Sequence, residues 1–202
     1  YLRQLPNMII AAPADSTEMK NALLAASQSE KPFAIRYPKD VIAEQISPES
    51  AHPFELGKSV IIKQKGSETL IISLGSLLTE AVKAAEILAE SEVDVDIVNA
   101  RFAKPVDPEL IASLSNYKNI ITVEDHCLAG GFGSAVLEAA AKYASKNKEA
   151  KMPKIMNLAC PDTFVEAAPR KKQLEQAEVS AEKIAQNVQA IIEKQTVTPE
   201  GK

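Results

Sequence analysis

Apolar runs and amphipathic stretches alternate along most of the chain. Residues 7–12 and 69–75 are nearly continuous apolar runs, which are typical of strands covered on both faces. Residues 78–88 instead place apolar side chains at helical spacing. The alternation predicts an α/β fold, in which a mostly parallel open sheet carries helices on both faces.

The pattern also gives the individual elements. Residues 57–63 and 69–75 flank the turn Lys65-Gly66-Ser67, so we expect a hairpin with its first strand antiparallel at the sheet edge. Strands are predicted at 7–12, 33–37, 57–63, 69–75, 93–100, 119–124 and 154–159. Helices are predicted at 16–29 and 78–88, from residue 107, at 135–145 and at 181–194.

The elements divide into two groups. Residues 1–40 form one β-α-β unit with parallel strands, which is the incomplete end of a domain. Residues 41–54, rich in proline and acidic side chains, are predicted to be a linker. Residues 55–195 form a complete domain, and 196–202 are a polar tail. Because the first residue is not methionine, we expect the chain to be a fragment of a longer protein.

Composition narrows the possible partners and the compartment. The net charge of -4 and the pI of about 5.4 argue against nucleic acid or an anionic membrane surface as a partner. The two cysteines, Cys127 and Cys160, form no CxxC pair, which favours free thiols and a cytoplasmic location, with a disulfide left open. Two histidines make a histidine-rich metal site improbable.

Arg36 is the first candidate for chemistry at a strand end. It interrupts an otherwise apolar strand, and its planar guanidinium suits a phosphate or a carboxylate. The alternative is an ion pair with a carboxylate of the protein itself.

Two further clusters follow later strands. Arg101 and Lys104 lie just past a buried strand, and Arg101 is expected to bind carbonyls or acids at a domain interface. Residues 124–127, Glu-Asp-His-Cys, precede the glycine-rich segment 130–134. The glycines could cradle a phosphate or pack a loop closely against a neighbouring subunit or domain, and we favour close packing. Adjacent side chains point in different directions, so a His126–Cys127 dyad is not expected.

Several stretches together resemble one family. Arg36-Tyr37-Pro38-Lys39 and residues 98–107, which include Asn99-Ala100-Arg101-Phe102-Ala103-Lys104-Pro105, are similar to the C-terminal portion of the 1-deoxy-D-xylulose-5-phosphate synthase family. The resemblance continues, in one order, through residues 2–8, 12–15, 122–124, 130–138 and 160–166. It implies a transketolase-type C-terminal domain preceded by a remnant of the pyrimidine-binding domain.

The resemblance also implies an activity for the parent enzyme. That enzyme would use thiamine diphosphate and Mg²⁺ to decarboxylate pyruvate and would transfer the two-carbon unit to glyceraldehyde 3-phosphate, as a homodimer. Arg36 maps onto the arginine that helps to hold the phosphate of the aldehyde. Asp40 stands where the family usually has glycine, and its carboxylate would repel a phosphate unless it points away.

The family's cofactor motif, Gly-Asp-Gly followed by Asn, is not in this sequence. The glutamate that activates thiamine and the histidine of the aldehyde pocket also precede the part of the family that it resembles. We therefore expect no catalytic, cofactor-binding or metal-binding residue here, no bound cofactor, and no activity from this chain alone. The alternatives are a non-catalytic dimerisation or assembly module that associates around residues 130–134, or the C-terminal subunit of a transketolase or of a 2-oxo-acid dehydrogenase E1 β.

Overall fold

A computed structural model describes residues 1–41, residue 46 and residues 54–196. Most of the predicted linker and the predicted tail lie outside these residues. The strands are β1 (Ile9–Ala11), β2 (Phe33–Ile35), β3 (Val60–Lys63), β4 (Thr69–Ser73), β5 (Asp96–Asn99), β6 (Phe102–Lys104), β7 (Asn119–Cys127) and β8 (Lys154–Cys160). The helices are α1 (Ser16–Gln28), α2 (Leu78–Glu90), α3 (Pro108–Ser113), α4 (Phe132–Lys146), α5 (Arg170–Gln176) and α6 (Ala181–Thr196).

The larger sheet has five strands in the order β3-β5-β4-β7-β8. Its four strands from β4 onward in the chain are parallel, and each is separated from the next by at least one helix. Strand β4 is buried at all five positions, in keeping with its apolar sequence. The predicted α/β architecture is confirmed.

The predicted hairpin at Lys65-Gly66-Ser67 is wrong in one respect. Strand β3 lies at the sheet edge and runs antiparallel, but its neighbour is β5 rather than β4. The physical cause is Asp96 at the start of β5, whose carboxylate accepts the backbone N–H groups of Lys65 and Ser67 at 2.7 and 3.3 Å. This contact holds the turn over the end of β5.

Helices cover both faces of the five-stranded sheet. Alternate residues of β4 point to opposite sides: Ile71 packs beneath α2 and α6, whereas Leu70 and Ile72 pack beneath α3 and α4. Two apolar cores result, one on each face, and they fix where the carboxyl ends of β4 and β7 lie.

A smaller sheet lies beside this unit in the order β2-β1-β6. Strands β1 and β2 are parallel, as predicted for a β-α-β unit, and β6 pairs antiparallel with β1. Strand β6 and helix α5 were not predicted. The small sheet therefore takes one of its strands from the later part of the chain, whereas the division into residues 1–40 and 55–195 stays a prediction.

Two aspartates set helix starts in the way their sequence context predicts. Asp15 accepts the backbone N–H of Glu18 at 2.8 Å at the start of α1, and Asp107 accepts that of Glu109 at 2.9 Å at the start of α3. Within the part of the chain that the structure describes, no helix combines the length and apolar character needed to span a bilayer.

Candidate functional site

Arg36 directly follows β2, and its backbone N–H bonds to the carbonyl of Ala11 at 2.8 Å. Its guanidinium meets Asp125 at the end of β7. Nη1 forms an ion pair with Oδ1 of Asp125, and Nη2 donates to the backbone carbonyl of the same residue at 2.8 Å. The Arg36 side chain remains 32% exposed. In this structure the arginine therefore has a protein carboxylate as its partner while part of the group faces solvent.

Asp125 is shared by a second arginine. Arg170, the first residue of α5, donates from Nη2 to Oδ2 of Asp125 at 3.0 Å and to Oγ of Ser76 at 2.8 Å. Burial alone would raise the pKa of Asp125, but Arg36 and Arg170 outweigh burial and hold that pKa below its ordinary value. We call Arg36, Asp40, Asp125 and Arg170 the arginine–carboxylate cluster.

Asp40 belongs to this cluster through Arg170. Its Oδ2 lies 3.3 Å from Nε of Arg170, and its Oδ1 accepts the backbone N–H of Val41 at 2.7 Å. The carboxylate that stands in place of glycine is thus directed at the second arginine. Sequence reasoning missed Arg170, because no motif surrounds it and the short helix it begins was not predicted.

A cavity of about 370 Å³ opens beside Arg36. It is lined by residues of the small sheet and of the chain start, and by residues at the end of β7 and the start of α4. Its lining includes Leu2, Ile35, Arg36, His126, Gly131 and Phe132. The cavity is the space in this chain where a ligand of Arg36 could sit.

The glycine-rich segment 130–134 holds a carboxylate of the protein itself. Glu124 accepts the backbone N–H groups of Phe132 and Gly133 at 2.7 and 2.8 Å, so the anion position at the start of α4 is filled. Burial raises the pKa of Glu124, and the two N–H groups oppose that rise. A phosphate cradle at this helix start does not fit the structure.

The same glycines pack closely against neighbouring strands of this chain, whereas packing against a neighbouring subunit or domain stays a prediction. A Cβ on Gly131 would lie 2.5 Å from the carbonyl oxygen of Cys127, and one on Gly133 would lie 2.6 Å from Oγ1 of Thr122. The carbonyl of Gly131 accepts from Nη1 of Arg3 at 2.8 Å. The loop therefore packs against the first residues of this chain.

His126 and Cys127 do not form a dyad. Both side chains are exposed, and no hydrogen bond joins them in the described part of the chain.

Arg101 forms a buried network between α1 and the turn after β5. Its Nε donates to Oε1 of Glu18 at 2.7 Å, with the two side chains only 2% and 3% exposed. Nδ2 of Asn99 donates to the same carboxylate, and the Arg101 guanidinium lies 5.2 Å from the centre of the Phe54 ring. Arg101 binds an acid, as predicted, whereas its place at a domain interface stays a prediction.

Lys104, on β6, also connects separate parts of the chain. Its Nζ donates to the backbone carbonyls of Arg3 and Leu5 at 2.8 and 2.6 Å. These contacts join the chain start to the later strand.

The described residues contain no group of three or more His, Cys, Asp or Glu side chains that could hold a metal ion. The glycine-rich helix start, where a diphosphate could bind, is occupied by Glu124. The residues described here therefore do not fit a thiamine diphosphate or Mg²⁺ site, and no chemical step is assigned to either group.

Replacement of Asp125 by asparagine tests the arginine–carboxylate cluster. We expect the free energy of unfolding to fall by about 1–3 kcal/mol at neutral pH, because a hydrogen-bonded charge is lost from between two arginines. The folded pKa of Asp125 is depressed, so its contribution is complete above the ordinary aspartate pKa of about 4 and is lost as the pH falls through the folded value. Denaturant titrations of both proteins across acidic pH measure the difference.

The difference between wild type and Asp125→Asn should therefore shrink in acid. Asp162→Asn, on an exposed side chain, is the matched control and should leave the unfolding free energy nearly unchanged. A difference that is constant from neutral pH down to acid would contradict the ion pairing.

Comparison with known proteins identifies the larger unit. Residues 57–184 match the family described as the transketolase C-terminal domain. A 1-deoxy-D-xylulose-5-phosphate synthase of Synechococcus sp. (strain JA-3-3Ab) is 36% identical over 196 residues, covering 96% of this chain and 29% of the relative. The synthase of Aquifex aeolicus (strain VF5) is 39% identical over 167 residues, covering 82% of this chain and 25% of the relative. The chain thus spans less than a third of the length of these relatives.

Solved structures agree on the fold. A chain described as a split-gene transketolase in an inactive β4 tetramer matches with a TM-score of 0.81 and 29% identity, covering 94% of this chain and 59% of that one. A transketolase of Pichia stipitis matches with a TM-score of 0.70 at 15% identity over 93% of this chain and 25% of that one, which supports the fold alone. The chain belongs to the transketolase C-terminal domain family.

Proposed function

We propose that this chain is part of a 1-deoxy-D-xylulose-5-phosphate synthase. The parent enzyme joins the two-carbon unit of pyruvate to glyceraldehyde 3-phosphate with loss of CO₂. The observation that carries the proposal is the 36% identity to such a synthase over 96% of the chain. Relatives of the same name match at 34–39% identity.

Arg36 is the proposed phosphate ligand within this chain. Its contacts with Asp125 use one N–H on each terminal nitrogen, which leaves the Nε–H and the second N–H of each terminal nitrogen outside those contacts. The group borders the cavity and is about one-third exposed, so an anion in the cavity can reach it. The free donors and the access together support this role.

The arginine–carboxylate cluster would set the orientation of Arg36. Asp125 orients the Arg36 guanidinium. Arg170 donates a hydrogen bond to Asp125 and forms an ion pair with Asp40. Arg36 is thereby placed before the substrate arrives, which limits the entropy lost on binding. The repulsion expected from Asp40 is offset by Arg170.

The proposal also includes the cofactors of the parent enzyme. Thiamine diphosphate, held with Mg²⁺, would supply the chemistry that decarboxylates pyruvate, and the residues for both would come from parts of the protein outside this chain. We accordingly propose that the 202 residues are inactive by themselves. A homodimer in the cytoplasm is the corresponding proposal for the assembly and its location.

The direct test is an assay of the full protein that carries this sequence, supplied with thiamine diphosphate and Mg²⁺. We expect release of CO₂ from pyruvate to accompany formation of 1-deoxy-D-xylulose 5-phosphate, and both to depend on glyceraldehyde 3-phosphate. The control replaces pyruvate with a ketose phosphate donor and glyceraldehyde 3-phosphate with ribose 5-phosphate, the donor and acceptor types of a transketolase. Transfer from the ketose phosphate to ribose 5-phosphate, with no product from pyruvate and the triose, would overturn the proposal in favour of a transketolase.

A non-catalytic assembly module is the second candidate. It is favoured by the likeness to a chain described as part of an inactive β4 tetramer. The same assay separates the two, because an assembly module would self-associate in sedimentation experiments and form no product with either acceptor.

A further inference from the structure

Cys127 and Cys160 end neighbouring parallel strands and stand opposite each other there. Their Cα atoms are register partners across β7 and β8, after an irregularity in β7 that follows Val123. Both are free thiols in this structure. Nothing in the proposed phosphate site uses either sulfur.

The strand geometry suits a covalent bond between them. Neighbouring strands lie about 4.8 Å apart, which falls within the Cα separation of about 4.4–6.8 Å found in disulfides. Register partners on adjacent strands also direct their side chains to the same face of the sheet. Just beyond the pair, the backbone N–H of Leu128 donates to the carbonyl of Cys160 at 3.3 Å, which keeps the two strand ends together.

The two thiols differ in their surroundings. Cys127 is exposed, whereas Cys160 is partly buried. Burial raises the pKa of Cys160, with further contributions from the charge of Asp125 and from Cys127 itself. The Cys127 thiolate is therefore accessible to an oxidant in solvent and can attack it. Cys160 lies close enough to Cys127 to react as the second thiol.

We propose that Cys127 and Cys160 form a reversible disulfide when the protein meets a low-molecular-weight disulfide. The Cys127 thiolate attacks one sulfur of the small disulfide, forms a mixed disulfide and releases one small thiol. The Cys160 thiolate then attacks the Cys127 sulfur and expels the second small thiol. The two protein thiols lose two electrons and two protons, and one small disulfide is reduced to two thiols.

The bond would close beside the arginine–carboxylate cluster. Asp125 lies two residues before Cys127 on the same strand and holds both Arg36 and Arg170. The cross-link would join the ends of β7 and β8 and fix this edge of the sheet. It is a modification site distinct from the cavity beside Arg36.

The test treats the full protein with oxidised glutathione under native conditions, blocks the remaining thiols, and digests it with trypsin without reduction. We expect peptides 119–142 and 155–170 to appear joined, about 2 Da lighter than the two reduced peptides together, and to separate on reduction. Trypsin cuts after Lys118, Lys142, Lys154 and Arg170 and leaves one of the two cysteines in each peptide.

Single variants identify the order of the steps. Cys160→Ser should keep a stable glutathione adduct on Cys127, because no second thiol can displace it. Cys127→Ser should form neither the joined peptides nor a comparable adduct on Cys160. Three results for the wild-type protein would overturn the proposal. The first is glutathione on both cysteines, and the second is no modification under conditions in which Cys160→Ser is glutathionylated. The third is a disulfide that forms only between molecules, as seen on a non-reducing gel.

Discussion

Glu18→Gln is expected to lower the free energy of unfolding by about 3–5 kcal/mol, the usual cost of removing one partner from a buried ion pair. Glutamine keeps the shape of the side chain but leaves the Arg101 guanidinium charged and without its carboxylate. Since both side chains are almost fully buried, solvent cannot replace the lost partner. Denaturant unfolding at neutral pH measures the loss.

Two further variants make this result specific. Glu86→Gln changes an exposed glutamate on α2 and should alter the unfolding free energy by no more than about 0.5 kcal/mol. The double variant Glu18→Gln with Arg101→Met should recover part of the loss, because the unpaired charge is removed as well. Equal values for Glu18→Gln and the Glu86 control would show that the buried pair does not hold α1 to the turn after β5.

Arg36→Ala in the full enzyme is expected to raise the KM for glyceraldehyde 3-phosphate by about 10–100-fold, as loss of a charged hydrogen bond of about 1.5–3 kcal/mol implies. The KM for pyruvate should change little, since pyruvate carries no phosphate. Steady-state kinetics with each substrate varied in turn measure both constants. This prediction rests on the proposed function.

Lys39→Ala is the matched control for Arg36→Ala, because it removes one positive charge from an exposed side chain three residues away. It should leave both KM values near those of wild type. Arg36→Lys keeps the charge but loses the planar fork, and should fall between the two. An equal rise in both KM values for Arg36→Ala would contradict a phosphate contact.

The larger unit could be predicted from sequence because its signals are local. Continuous apolar strands such as β4 and the aspartate before Pro108 each determine their own element. The partner of β3 could not be predicted in the same way. It depends on the carboxylate of Asp96, which is distant in sequence from the turn that it holds.

The candidate site shows the same division. Arg36 could be picked out because a charge inside an apolar strand is unusual, and Arg101 was expected to bind an acid or a carbonyl, as it does with Glu18. The sequence shows Asp125 only as one of several neighbouring polar residues, and no sequence pattern marks Arg170. Their roles come from three-dimensional contacts between β7, α5 and the residue after β2, which no local pattern encodes.

The pairing of β6 with β1 has a consequence for biosynthesis. During translation, β1 and β2 leave the ribosome before β6, and Lys104, the partner of Ile10, is added only after β3, β4, α2 and β5 have been made. One edge of β1 therefore lacks this neighbour until three of the five strands of the larger sheet have been made. Closing so distant a contact is entropically costly and slow. The small sheet should consequently be completed well after β1 and β2 have paired, once the first three strands of the larger sheet are available.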